Sequence, residues 1–409
     1  MTHDDPIAGY LAKTADARIA FLQELVRVPS DNPPGDCAAH AARTSALMQE
    51  LGLTVEAHPV PEALCHAHGM ISAVNLIVRR RFGDGPVIAL NAHGDVVAPG
   101  DGWTHDPYGG EIADGWLYGR GAAVSKSDIA TYAYALMALE TVADTLSGTV
   151  ELHITYDEEV GGMIGPKWLL DEGISNPDLA LSAGFSHAVV TAHNGCLHLE
   201  VTVTGRSAHA AKPETGNDAL EAANAILAKL YQHRSELGQH ISATPGIGAA
   251  KLNIGLIEGG INTNVVPDKV TFRLDRRMIP EENAQQIEHA LRKLIEDSAA
   301  GFEGITVAIS TIMLAEPLTP VGDISTLTAP LTRHASAYFD EDVQCVGVPL
   351  YTDARHYAAA GIPTVLFGAG PHSIEEANAH RADERLPVAD LHGATMVVAQ
   401  TLKDILSAN

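Results

Sequence analysis

Aromatic residues make up only 5% of this 409-residue chain, and basic residues are outnumbered roughly two to one, 26 Lys and Arg against 51 Asp and Glu. The resulting formal net charge of −25 at pH 7 excludes the basic footprint that nucleic acid or an anionic membrane surface requires. A small anionic substrate stays possible, because one local arginine can override the global field. Four cysteines occur, Cys37, Cys65, Cys196 and Cys345, far apart and without a CxxC pair. That spacing predicts reduced thiols and argues against a structural zinc site. No run approaches the roughly 18 apolar residues that span a bilayer. The opening Met-Thr-His-Asp-Asp-Pro lacks the basic and apolar parts of a signal peptide, so a cytoplasmic location is expected.

What the chain does have is a large apolar fraction, 46%, with 19% charged residues, enough to bury a sizeable core in two domains. Apolar periodicity predicts a helix over 8–27, ended by the Pro29-Ser-Asp-Asn-Pro-Pro-Gly35 loop, and a second over 38–51. Strands are expected at 55–59, 75–80 and 86–91, a long helix at 127–145 and a strand at 149–155. The strand at 86–91 delivers His93, and the one at 149–155 delivers Asp157-Glu158-Glu159. In open α/β sheets functional groups gather just past the carboxyl ends of strands, where both motifs lie.

After Gly195 the texture changes. Leu197–Thr204 alternates as a half-buried antiparallel strand should. A helix over 217–237, strands at 251–257 and 269–276, a charged helix near 281–298 and a strand at 306–313 complete a β-α-β-β-α-β order, which fits a ferredoxin-like unit. From about 315 the pattern returns to helices alternating with short strands. The fold class expected is therefore α/β, with residues 1–194 and 315–409 forming one domain and 195–314 inserted into it.

His93-Gly-Asp95 has the composition of a metal ligand with an orienting second partner on its other ring nitrogen. A strand-end histidine in a hydrogen-bonded loop is the plainer alternative. Adjacent Glu158 and Glu159 after a buried strand are costly unless paired or metal-bound, and neighbours can divide the work between metal and water.

These segments, together with the Pro-Ser-x-Asn-Pro-Pro-Gly loop and Ala379-His380-Arg-Ala-Asp-Glu384, resemble the cocatalytic zinc hydrolases that include acetylornithine deacetylase, succinyl-diaminopimelate desuccinylase, aminoacylase and glutamate carboxypeptidase. The resemblance covers nearly the whole chain. It implies a metal-binding catalytic domain with a mixed sheet flanked by helices, plus an inserted dimerisation lid. It further implies His93, Glu159 and His380 as metal ligands, Asp95 as the partner of His93, and Glu158 as general base. In the lid, His209 corresponds to an oxyanion-stabilising histidine that completes a partner subunit's site. Asn264 corresponds to a substrate contact and Arg277 to a clamp for a substrate carboxylate, a task suited to its planar donor fork.

Two departures stand out. The family has a bridging aspartate where this chain has Val124, and a carboxylate near Ala183-Gly184. Without a bridging anion two cations roughly 3.5–4 Å apart repel each other, so one labile ion (zinc, manganese, cobalt or nickel) is expected. Asp128, one helical turn past Val124, is expected to point elsewhere. His187, His193 and the Cys65-His66-Ala-His68 cluster are further candidates for filling the gaps. The reading is a metal-dependent hydrolase of amide-type C–N bonds in a small carboxylate-bearing substrate, working as a homodimer or higher homo-oligomer. The alternatives are an aminohydrolase acting on an aromatic amine such as a nitroanthranilate, and a catalytically silent ligand-binding homologue.

Overall fold

The computed structural model describes residues 5–407. The first four residues, part of the segment read for a leader, lie outside the described range, as do the last two. The chain forms two compact units. One comprises Met1–Thr191, Pro320–Val346 and Thr352–Asn409, the other Ala192–Thr319 with Gly347–Tyr351.

The first unit is built on an eight-stranded mixed sheet. Its strands lie in the order Val55–Pro59, Val74–Arg81, Thr149–Thr155, Val87–His93, Leu179–Ser182, Thr364–Leu366, Val189–His193 and Cys345–Val348. The central strand Val87–His93 runs parallel to both neighbours. Such strands are covered on both faces and so read as continuous apolar runs rather than alternating ones. Ile88, Ala89, Leu90, Val150, Leu152 and Ile154 are all fully buried. Covering helices include Lys126–Leu139, almost wholly buried, Ala15–Val26 and Val388–Leu406. Parallel pairing sets His93 beside Thr155. The loops carrying His93 and Glu158-Glu159 therefore leave the same end of the sheet.

Two expected helices are shorter or broken. The one over 8–27 is two helices, Pro6–Lys13 and Ala15–Val26. Thr14 separates them with φ −104 and ψ 12, and its hydroxyl donates to the Tyr10 carbonyl at 3.0 Å, a side-chain bond that competes with helix continuation. The helix expected over 127–145 ends at Leu139 and tightens into a 3₁₀ segment, Glu140–Thr145, with non-helical Val142. The β-branched pair Thr141-Val142 disfavours continuation.

The second unit is a four-stranded antiparallel sheet ordered Lys251–Gly259, Lys269–Met278, Gly195–Thr204, Thr306–Ala315. The helix Ala219–Leu237 joins the central strand Gly195–Thr204 to the edge strand Lys251–Gly259, and Ala284–Ala299 joins the central strand Lys269–Met278 to the edge strand Thr306–Ala315, which is the ferredoxin-like order. Leu197, Leu199, Val201 and Val203 pack into a core with Ala222, Ile226, Leu230, Leu291 and Ile295 of those helices. Because successive strand residues face opposite sides, Cys196, His198, Glu200 and Thr202 belong to the other face.

A candidate metal centre

His93 ends the central strand and is buried. Its Nδ1 stands 2.9 Å from the Asp95 carbonyl oxygen and 3.3 Å from Asp95 Oδ1. Both are acceptors, so the ring proton belongs on Nδ1, and Nε2 is the nitrogen left to ligate. The backbone carbonyl, rather than the carboxylate alone, orients the imidazole. Burial opposes a charge on His93, but Asp95 and Glu158 outweigh it and hold its pKa well above the ordinary value. Asp95 is itself fully buried. Its carboxylate accepts from Asn32 Nδ2 at 2.9 Å and from the backbone N–H groups of Glu158 at 3.3 Å and Glu159 at 3.2 Å. One carboxylate thus ties the histidine loop to the glutamate loop.

Glu158–Val160 forms a single 3₁₀ turn, and Gly161 and Gly162 follow at φ 110 and φ 67. A Cβ on Gly162 would collide with Asp353 Oδ1 and come within 2.7 Å of His356 Nε2. Only glycine fits there. His356 Nε2 lies 2.9 Å from the Gly161 carbonyl oxygen, which also accepts from Arg355. These three residues start the helix Ala354–Ala359 and cap the glutamate turn from below. The sequence reading missed them, although the polar run Thr352-Asp-Ala-Arg-His356 before a short apolar strand was a usable signal.

Ligand atoms of His93, Glu158 and Glu159 all lie within 4.8 Å of one another, with His93 Nε2 3.9 Å from Glu158 Oε2. Glu159 Oε1 is buried without a hydrogen-bond partner. His380 Nε2 is 3.5 Å from it. His380 is half-exposed and left-handed at φ 60, and it stands outside the trio that gathers within 4.8 Å. Burial pushes the Glu158 pKa up to about 8; His93 pulls it down, while Glu159 and Asp95 add to the rise. The nearby Glu159 carboxylate raises the pKa of His380. An orphaned buried carboxylate oxygen beside an imidazole Nε2, in a pocket with several carboxylates, fits a borderline divalent cation.

The two departures have local counterparts. The N–H groups of Ala123 and Val124 both donate to Glu384 Oε1 at 3.1 Å, and Glu384 is paired with Arg120 at 2.5 Å, both side chains buried. The loop is held in place although its end residue is valine. Asp128 is turned to backbone N–H groups. Its Oδ2 accepts from the Gly184 N–H at 3.2 Å and its Oδ1 from Ala369 N–H at 2.7 Å, because the first turn of a buried helix aims it there. The shape permits this at Gly368, where any Cβ would collide with Asp128. Burial raises its pKa to about 8, against the lowering effect of the two N–H groups and His93.

The other candidates are engaged elsewhere. His187 lies 3.1 Å from Glu341 and 3.4 Å from Asp390 and stacks on His372. Cys65 is buried with its thiol 3.8 Å from the Val60 carbonyl, and His66 is 3.9 Å from Glu62. His193 belongs to the second unit, buried, with Nδ1 2.9 Å from its neighbour's carbonyl. The second unit also holds His209, Asn264 and Arg277. His209 is exposed, and its Nδ1 accepts from Ala211 N–H at 3.0 Å, which places the ring proton on Nε2. The Asn264 carbonyl accepts from Ala210 N–H at 3.0 Å, so Asn264 and His209 are neighbours. Arg277 is apart from them on the sheet, its Nε donating to Asp275 Oδ1 at 3.0 Å and Oδ2 at 3.1 Å.

Comparison with known proteins gives a consistent picture. The family model described as peptidase family M20/M25/M40 matches residues 89–404. The succinyl-diaminopimelate desuccinylase of Gluconacetobacter diazotrophicus is 28% identical, covering 98% of this chain and 100% of that protein. Aminoacylase-1 of Sus scrofa is 27% identical, covering 95% of each. The crystal structure of aminopeptidase PepT from Bacillus cereus superposes with a TM-score of 0.73 at 24% identity, covering 96% of this chain and 98% of that one.

The buried acids predict how metal-free protein responds to pH. Asp128 and Glu158 are held near about 8 and Asp157 near about 7, in each case chiefly by burial. The folded chain then keeps protons that the unfolded chain has released, so stability falls as pH rises from about 5 to about 7, by up to about 1.4 kcal/mol per pH unit for each group. His93, also raised, acts in the same sense. Lys126, lowered to about 7 by burial, opposes it only above that window. Urea titrations of apoprotein across this range should show a falling midpoint, and saturating zinc should flatten the slope. A midpoint that rose with pH in apoprotein would contradict the burial of these acids.

Proposed function

The chain belongs to peptidase family M20/M25/M40 and is a metal-dependent hydrolase acting on amide-type C–N bonds; we propose that its substrate is a small molecule carrying a carboxylate, cleaved with Glu158 as general base. The observation that carries this reading is the position of Glu158, 3.9 Å from His93 Nε2 and anchored through its backbone by Asp95. A divalent cation held by His93, Glu159 and His380 would supply Lewis acidity to the substrate carbonyl and acidify the attacking water. Glu158 takes the proton from that water as its oxygen adds to the carbonyl carbon. It then returns the proton to the departing nitrogen as the C–N bond breaks. A carboxylate with a pKa near neutrality suits both transfers. Asp95 keeps His93 in one tautomer and fixes the turn on which Glu158 rides.

With valine at 124 and glycine at 184, the donor set supports one labile ion rather than a bridged pair. Zinc, manganese, cobalt and nickel all accept these ligands. Relatives named for removing succinyl and other acyl groups favour an N-acyl amino acid or a similar amide. They lend no support to the aminohydrolase or silent-homologue alternatives. Asp275 grips Arg277 through Nε and sets its terminal N–H fork for the substrate carboxylate. His209, with its proton on Nε2, is suited to donate to a developing oxyanion, with Asn264 beside it as a substrate contact. Both act across a homodimer in this proposal, within the cytoplasm.

Glu158→Gln should lower kcat by about 10²–10⁴ while isothermal titration shows metal affinity preserved. Unchanged turnover would sink the mechanism. Arg277→Lys should raise KM for carboxylate-bearing substrates, and have little effect on an amide analogue of the same substrate; equal losses on both would rule out a carboxylate clamp. Mixing His209→Ala with Glu158→Gln protein should recover activity that neither variant has alone. No recovery, with hybrid dimers shown by native mass spectrometry, would place His209 outside a shared site.

A further inference from the structure

In the second unit, strand alternation sets Cys196 and His198 on the face opposite the leucine core. The antiparallel register then pairs His198 with Asp275 and Cys196 with Arg277. Cys196 Sγ lies 3.3 Å from His198 Nε2 and 3.6 Å from Asp275 Oδ1, and His198 Nε2 lies 3.4 Å from Asp275 Oδ2. Zinc bonds of about 2.3 Å to sulfur and about 2.0–2.2 Å to nitrogen or oxygen put tetrahedral neighbours roughly 3.4–3.6 Å apart. The observed spacings are nearly those of a ligand polyhedron.

The donor directions separate this arrangement from a nucleophilic relay. A Cys-His-Asp relay uses one imidazole nitrogen for the thiol and the other for the carboxylate. Here the same nitrogen, Nε2, faces both partners. One sulfur, one nitrogen and a carboxylate that turns Oδ1 to the sulfur and Oδ2 to the nitrogen thus offer ligand atoms within 4.8 Å of one another. Cys196 is fully buried, whereas His198 and Asp275 are partly exposed, which leaves an approach for an ion.

We infer that Cys196, His198 and Asp275 form a second cation site, specific for one borderline divalent ion of the zinc type, with its fourth position open to water or a small ligand. Thiolate and carboxylate balance the two positive charges, and the thiol proton is released on binding. Asp275 also accepts from Arg277, which orients the carboxylate as an outer-shell partner does. No donor is shared with the centre around His93, and the inference does not depend on the proposed reaction.

Cobalt(II) distinguishes the two sites, because only a thiolate ligand gives an intense sulfur-to-cobalt band in the near ultraviolet. Adding cobalt(II) to apoprotein should produce that band, saturating at about one thiolate-bound ion per chain. Glu159→Gln, which weakens the other centre, should keep the band. Cys196→Ser and His198→Gln should each lose it, with circular dichroism confirming a native fold; if the serine variant misfolds, the glutamine variant decides. Absence of the band in folded wild-type protein with excess cobalt(II), or its survival in folded His198→Gln or Cys196→Ser, would overturn the site.

Discussion

A single buried carboxylate, that of Asp95, governs the geometry of the metal centre. An ionised carboxylate withdrawn from water costs several kcal/mol unless hydrogen bonds replace its hydration. Asp95 finds them in Asn32, in the N–H groups of Glu158 and Glu159, and in the ring of His93. Satisfying that one side chain therefore locks three loops together: the cap after the first helices, the end of the central strand, and the glutamate turn. Any shift of one loop would leave a buried carboxylate oxygen short of a donor. The catalytic proposal rests on this constraint more than on any one ligand.

Around it further buried polar groups hold the loops of the centre. The buried Arg120–Glu384 pair holds the Ala123-Val124 backbone in place. Asp128 puts a carboxylate against the Gly184 backbone, at the second place where an anion is missing.

Much of this was legible in the sequence. The strand at 149–155 and the β-α-β-β-α-β order were readable because period-2 and continuous apolar runs report directly on burial. His93, Asp95, Glu158 and Glu159 were readable because they sit immediately after strands, where local position fixes the direction. The break at Thr14 was not, since it depends on a hydroxyl choosing the Tyr10 carbonyl. Asp353, Arg355 and His356 were missed because they support the glutamate turn from almost 200 residues away. The partners of Asp128 were not legible because a helical turn gives the direction of a side chain only relative to its own helix. What lies opposite is decided by packing.

The sequence by itself determined the family and the type of fold, since both follow from residue identity and local periodicity. Tertiary structure alone decided which polar groups meet. It showed that His93 is oriented by a backbone carbonyl as well as a carboxylate, and that His380 stands at the edge of the donor trio. It also brought Cys196 and His198 against Asp275. Cysteine spacing along the chain registers no partner supplied by a neighbouring strand. Hydrogen bonding and ligation act over about 3 Å in space, and only the folded chain sets that distance.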